Sequence, residues 1–257
     1  MSNVSFYDNE IQSDSTFRTK SEENEPLVNE SCFNQNPTAW SQKMNNFPKY
    51  ARRQAITRLL ALYELYKKII PVKGSIIECG VHQGFGLMAY SKFSAILEPV
   101  NFTRRIYGFD TFSGFPNVSS DDQSSHSNKQ TTGDLYANSH DELDTLLGAH
   151  DESRFIGHIK KTFMIKGDAT KTIPNFVEQN PHLLVSLLFL DFDLYGPTMS
   201  ALEHFYPLMP KGAVIAFDEL DNPLWPGETK AMLEFFKDNK LKIQRVDFDP
   251  YIGFAEL

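Results

Sequence analysis

Only two cysteines occur in the 257-residue chain, Cys32 in a polar N-terminal stretch and Cys79 in an apolar run. Such sparse use excludes a disulfide framework and fits a reducing compartment. Long hydrophobic runs are missing too: none approaches the roughly 20 residues that a membrane helix needs. The first residues are polar and acidic and hold no hydrophobic signal core, so a cytoplasmic location and no membrane partner are expected. Basic side chains are not in excess. Lys and Arg number 25 against 33 Asp and Glu, a formal net charge of −8, and no broad basic stripe stands out, which argues against a nucleic-acid partner. G-x-S-x-G, Walker and C-x-x-C signatures are absent, which removes the commonest hydrolase, NTPase and redox readings.

What is present is enough apolar sequence, 41% of residues, to bury one substantial α/β core with an appended segment. The chain is organised around residues 75–86, S-I-I-E-C-G-V-H-Q-G-F-G. Ile76 and Ile77 form a short apolar run bounded by glycines, the pattern of a strand buried on both faces. Gly80, Gly84 and Gly86 then lead into an apolar-periodic helix over 87–97. Strand, glycine turn and helix bring a ligand against bare backbone at a helix N-terminus, although glycines after a strand can also mean only a tight turn. A dinucleotide turn wants G-x-G-x-x-G; here the order is G-x-x-x-G-x-G, with Glu78 two places ahead of the first glycine. That carboxylate would repel a pyrophosphate and suit a ligand carrying an ammonium and a sulfonium.

Taken in order, residues 1–36 are polar, show no sustained period and read as a mobile N-terminal arm, or one that orders against a partner subunit. Residues 37–257 read as a single domain, with a helical extension over 49–70 that Pro71 ends. Arg52, Arg53 and Arg58 decorate that helix, either as a solvated face or with one reaching a ligand carboxylate. Residues 105–110, R-I-Y-G-F-D, give a second strand ending on Asp110, where an acid commonly accepts ribose hydroxyls. The Ser-rich stretch 117–138 is either disordered or a lid over a site, and reads as the lid. Ser139 and Glu142 form a capping-box pattern, and a third strand ends before Asp168, placed either to meet an adenine amino group or to cap the helix from Ala169. The run L-L-V-S-L-L-F-L at 183–190 is a central strand ending in Asp191-Phe192-Asp193, and a further strand over 213–217 ends in Asp218-Glu219. Strand and helix alternate five times before a closing antiparallel pair. The fold class expected is α/β, a doubly wound, mostly parallel, seven-stranded sheet with an antiparallel last strand.

In such sheets ligands lie beyond the carboxyl ends of the strands, and Glu78, Asp110, Asp168, Asp191, Asp193, Asp218 and Glu219 all fall at those ends. Several carboxylates crowded together are costly unless a cation neutralises them. Asp191, Asp218 and Glu219 offer three oxygen donors with no His or Cys beside them, a set suited to Mg²⁺, Mn²⁺ or Ca²⁺. Asp193 shares the side of Asp191 or caps the following helix. His82, in the glycine turn, and His126, in the lid, stand near this rim and read as surface residues.

In this setting I-I-E-C-G-V-H-Q-G at 76–84, G-F-D-T-F-S-G-F-P at 108–116, L-D-F-D-L-Y-G-P-T at 190–198 and F-D-E at 217–219 resemble the macrocin O-methyltransferase family, metal-dependent enzymes that methylate sugar hydroxyls in macrolide and aminocoumarin biosynthesis. The resemblance runs from about Tyr50 to the C-terminus. It implies a class I S-adenosylmethionine methyltransferase fold with S-adenosyl-L-methionine held by Glu78, Gly80, Val81, Gly84, Asp110, Thr111, Phe112, Asp168, Ala169 and Asp191. It also implies Mg²⁺ on Asp191, Asp218 and Glu219, Asp193 as general base, a small-molecule acceptor containing a sugar, and a homo-oligomer. The family has a second Asp where this chain has Glu219, and the Ser-rich lid leaves acceptor preference open. Rival readings are a catechol-type O-methyltransferase, a nucleotide-sugar dehydrogenase and a non-catalytic protein of the same fold.

Overall fold

Strand β1 (Ser75–Cys79) is buried at every position, the polar Ser75 and Glu78 included, and its Ile76-Ile77 run suits a strand with both sheet faces covered. It pairs in parallel with β2 (Ile106–Asp110) on one side. Beyond β2 lies β3 (Thr162–Lys166), also parallel. On its other side β1 pairs with β4 (Val185–Leu190), which in turn pairs with β5 (Val214–Phe217), both in parallel. Two short strands, β6 (Gln244–Arg245) and β7 (Gly253–Glu256), close the sheet, and β7 runs antiparallel between β5 and β6. The spatial order β3-β2-β1-β4-β5-β7-β6 reverses direction at the boundary between β1 and β4. At such a switch point ligands of doubly wound sheets bind beyond the carboxyl ends of the strands.

The structure is a computed structural model and describes residues 20–124 and 130–257. The helices are α1 (Lys20–Gln35), α2 (Trp40–Asn45), α3 (Arg53–Ile69), α4 (Phe85–Leu97), α5 (His140–Ser153), α6 (Ala169–Gln179), α7 (Tyr195–Phe205) and α8 (Pro226–Phe235). None is long and apolar enough to cross a membrane among the described residues.

Two compact units divide the chain, one up to Leu60 and one over Ala61–Leu257, with the boundary inside α3. In the first, the Phe33 and Tyr50 rings meet edge to face at 5.1 Å, Asn36 donates to the Tyr50 hydroxyl at 2.7 Å, and Lys43 donates to the Phe33 carbonyl at 2.6 Å. Within the stretch read as an arm over 1–36, residues 20–35 are helical. Their Glu, Asn and Lys residues favour or tolerate a helix, but the absence of an apolar stripe removes the periodic signal. Residues 1–19, and His126 in the lid, lie outside the described residues.

In the second unit the core fills one face of the sheet with Tyr107, Phe109 and Ile173, and with Leu202, Phe205 and Phe217. Phe109 meets Phe176 and Phe205 edge to face at 5.3 and 5.5 Å. The amino ends of the strands are tied by Arg104, only 3% exposed. Its guanidinium donates to the carbonyls of Gly74, Ile69 and Val72 at 2.9–3.0 Å and to Glu98 at 2.7 Å. With that end locked by polar bonds, the carboxyl ends are left for ligands.

Candidate active site

Gly80 follows β1 with φ at +97°, and a methyl group on it would lie 1.9 Å from the Asp191 carbonyl oxygen. Only a residue without Cβ lets the ends of β1 and β4 approach this closely. The contact is held by the Asp191 amide, which donates to the Cys79 carbonyl at 2.8 Å. Gly84, at φ +86°, is the N-cap of α4. Glu78 is 2% exposed and its Oε1 occupies the space a Gly86 side chain would need. The carboxylate therefore packs under the first turn of α4, where the helix dipole favours negative charge. Val81, 3% exposed, packs over Gly108 of β2.

The end of β2 closes on the same turn. Asp110 accepts from the His82 amide at 2.8 Å through one oxygen and from the Phe112 amide at 2.6 Å through the other. The acid read as a ribose acceptor thus also fixes the glycine turn. His82 and Phe112 both have positive φ, 49° and 54°, a strained state for non-glycine residues that surrounding bonds must hold. Thr111 donates to the Gly114 carbonyl at 2.7 Å. The buried Phe112 ring meets His140 edge to face at 5.0 Å. Ser139 is the N-cap of α5, but its side chain makes no cap bond. Its hydroxyl donates instead to the His82 carbonyl, so the capping box expected with Glu142 does not form.

At the end of β3, Asp168 caps α6: its carboxylate accepts from the Thr170 amide at 3.0 Å and hydroxyl at 2.6 Å and pairs with Lys171 at 3.1 Å. Partial burial raises its pKa, and these donors outweigh that and hold it below the usual carboxylate range. Of the two roles open for Asp168, the cap is present in the fold. Ala169, the first residue of α6, is buried.

Beyond β4 and β5 lies an acidic group. Asp193 is 8% exposed and adopts φ +63°. Burial, and then Asp191, Glu219, Glu228 and Asp218, push its carboxyl well above the usual range. Sequence reasoning missed Glu228. It is fully buried, on the first turn of α8. One oxygen accepts from the Glu219 amide at 2.9 Å, and the other has no hydrogen-bond partner among the described residues. Burial first, and then Asp191, Asp218 and Glu219, drive its pKa up. A legible clue existed, a Glu just after Pro226-Gly227, but that pattern reads equally as an ordinary helix start. Glu219 accepts from the Asn222 side chain.

Asp191, Asp193, Asp218 and Glu219 thus share one electrostatic neighbourhood. Among the described residues, however, no three His, Cys, Asp or Glu side chains are gathered to hold a metal ion. In kind the donors still fit a hard divalent cation. They are all carboxylates, they help push the Asp193 and Glu228 carboxyls up, and among the described residues one buried Glu228 oxygen lacks a bond.

The profile of the macrocin-O-methyltransferase (TylF) family matches residues 4–251. A crystal structure of CalS11, a calicheamicin methyltransferase, is 32% identical with a TM-score of 0.89, and 93% of each chain is covered. An apo structure of CalS11, described as a TDP-rhamnose 3'-O-methyltransferase of calicheamicin biosynthesis, is 31% identical with a TM-score of 0.80, covering 93% of this chain and 95% of that one. The O-methyltransferase NovP, 17% identical with a TM-score of 0.60 over 78% of this chain and 79% of its own, shares the fold. No curated protein matches significantly. The seven-stranded order, the glycine turn and these matches agree: the chain belongs to the macrocin O-methyltransferase family of S-adenosylmethionine-dependent O-methyltransferases.

Proposed function

We propose that the chain methylates a hydroxyl of a nucleotide-linked deoxysugar, with S-adenosylmethionine as donor, Mg²⁺ as activating cation and Asp193 as general base. The observation that carries this is the buried Asp193 carboxyl, pushed up by burial and by the acids around it. It stands at the carboxyl end of β4, next to the switch point where a cofactor would lie. The nucleotide-sugar acceptor is suggested by CalS11.

S-adenosylmethionine would lie along the glycine turn, against Glu78, Gly80, Val81 and Gly84. Asp110, Thr111 and Phe112 would sit at its ribose and Asp168 and Ala169 at its adenine, with Asp191 beyond β4. Glu78 and Asp191 place negative charge where an ammonium and a sulfonium are to be held. Asp191, Asp218 and Glu219 would hold the cation, which when bound lowers the pKa of a coordinated hydroxyl. Asp193 would accept the hydroxyl proton, and the upward shift of its carboxyl makes it a stronger base than an ordinary carboxylate. S-adenosylmethionine would supply the methyl group to the sugar oxygen, its carbon–sulfur bond giving way in line with S-adenosylhomocysteine as the leaving product.

The test is methylation of TDP-rhamnose with Mg²⁺ and with EDTA, using the wild type and Asp193→Asn, with a catechol as control acceptor. Asp193→Asn should lower kcat by about 100-fold or more, and S-adenosylhomocysteine should titrate as in the wild type. EDTA should abolish turnover. Turnover unaffected by EDTA would refute the metal reading, and methylation of the catechol alone would refute the sugar.

A further inference from the structure

Asp122 lies 71 residues before the proposed base in sequence yet is built into the segment that carries it. It ends a short 3₁₀ turn, Ser120–Asp122, and is 2% exposed. One carboxylate oxygen accepts from the Ser119 amide and hydroxyl, both at 2.7 Å. The other accepts from the Tyr195 amide at 2.6 Å. Tyr195 opens α7, and the residue at the N-cap, Leu194, makes no side-chain cap bond. A helix start leaves amides without internal partners, and here the missing acceptor is supplied from the loop before α5.

The same junction is packed from a third side. At Gly227 a Cβ would fall 2.3 Å from the Asp122 carboxylate, 2.6 Å from the Tyr195 amide nitrogen and 3.0 Å from the Asp193 carbonyl oxygen. The next residue, Glu228, holds the Glu219 amide. Lys230 donates to the Asp121 carbonyl at 2.5 Å. The segments over 119–122, 193–195 and 227–228 therefore meet at one point. Asp193 itself holds φ +63°, a conformation that persists in a non-glycine residue only where its surroundings over-determine it. The bond two residues on, at Tyr195, is one of those determinants.

We infer that Asp122 is a positioning residue: by clamping the first amide of α7 it fixes the backbone that presents Asp193 to the acceptor hydroxyl. The inference rests on Asp193 acting as the base. The experiment compares Asp122→Ala, Asp122→Asn and Asp193→Asn, with S-adenosylmethionine, Mg²⁺ and TDP-rhamnose. In Asp122→Ala, kcat should fall about tenfold to 100-fold, the scale of a small misplacement at a reacting centre. The KM for TDP-rhamnose and the affinity for S-adenosylhomocysteine should stay within about twofold, because the misplaced group acts only in the transition state. Asp122→Asn should recover part of kcat, since its Oδ1 can still accept from Tyr195.

A wild-type kcat in Asp122→Ala, with only the melting temperature lowered, would reduce Asp122 to a helix cap and overturn the inference. So would loss of cofactor affinity in parallel with kcat. If Asp193→Asn keeps its kcat, the base reading fails and the inference with it; if Asp193→Asn is inactive and Asp122→Ala is not, only the inference fails. Should the wild type leave TDP-rhamnose unmethylated, amide hydrogen exchange decides. Asp122→Ala must then raise exchange over 191–197 and leave β2 and β3 protected, and unchanged exchange over 191–197 refutes the clamp.

Discussion

Arg104 shows how much a single residue can settle while remaining invisible in sequence. It precedes β2, where an arginine would ordinarily be read as a solvated strand end. In the fold its side chain is 3% exposed and its partner Glu98 only 8%. Glu98 also accepts from the Tyr66 hydroxyl at 2.6 Å. Burial raises the Glu98 pKa, but bonds from Tyr66, Arg104 and Asn101 outweigh it and hold the carboxyl below its ordinary value. Such a depressed acid stabilises the fold above its unfolded pKa, and that contribution is lost as pH falls through the folded value. Replacing Arg104 by Met would remove the guanidinium bonds to Glu98 and to the carbonyls of Gly74, Ile69 and Val72. The expected cost is about 3–5 kcal/mol, the range for breaking a buried pair from one side, read as a lower urea midpoint at neutral pH. The difference from wild type should shrink in acid, where Glu98 is protonated in both proteins; a constant difference would count against the ion pair as its source. Asp122 and Glu228 were missed for the same reason as Arg104. The residues that make each of them matter lie far away in sequence or follow an ordinary helix start.

Elements were more legible than their ends. β1, β2 and β4 announce themselves as short apolar runs ending in glycine or acid, and the alternation of strand and helix is enough to expect the parallel sheet. The helix over Ala169–Gln179 begins where its sequence pattern places it, because Asp168 is a true cap. Where a cap residue found another partner, as Ser139 did, the local rule misleads. α1 was missed because a helix without an apolar stripe has no period to detect. Spacing cannot show that β7 lies between β5 and β6, since that order depends on tertiary pairing. The glycine turn could be identified as a ligand turn, but its tightest feature, the approach of Gly80 to β4, depends on a strand over 100 residues away. Gly80→Ala tests that element. Its φ of +97° and the backbone 1.9 Å from the new Cβ leave no strain-free solution, so the ends of β1 and β4 must part. A left-handed backbone costs a non-glycine residue about 1–2 kcal/mol, and the clash adds to it. The melting temperature should fall, and calorimetric titration should show S-adenosylhomocysteine bound more weakly. Wild-type affinity in a stable Gly80→Ala protein would detach the cofactor from this turn.

The molecule as a whole places its polar costs at opposite ends of one sheet. At the amino ends Arg104 satisfies carbonyls; at the carboxyl ends Asp193 and Glu228 are buried with their pKa values driven up. Such groups bind more protons in the native than in the unfolded state. Their contribution to stability is therefore greatest below the unfolded pKa, about 4, and declines as pH rises toward their folded values. A divalent cation bound among these acids reverses the sign, since it favours the ionised forms and releases protons on binding. The expected outcome is a melting temperature that rises with Mg²⁺ by more at pH 8 than at pH 5, with EDTA restoring the metal-free value. Glu228→Gln isolates the buried acid: Gln keeps an oxygen for the Glu219 amide and cannot ionise. Without Mg²⁺, that variant should lose less stability than wild type between pH 5 and pH 8. If Mg²⁺ shifts the melting temperature equally at both pH values, or not at all, the acids are held together by the fold alone and the proposed cation does not bind among them.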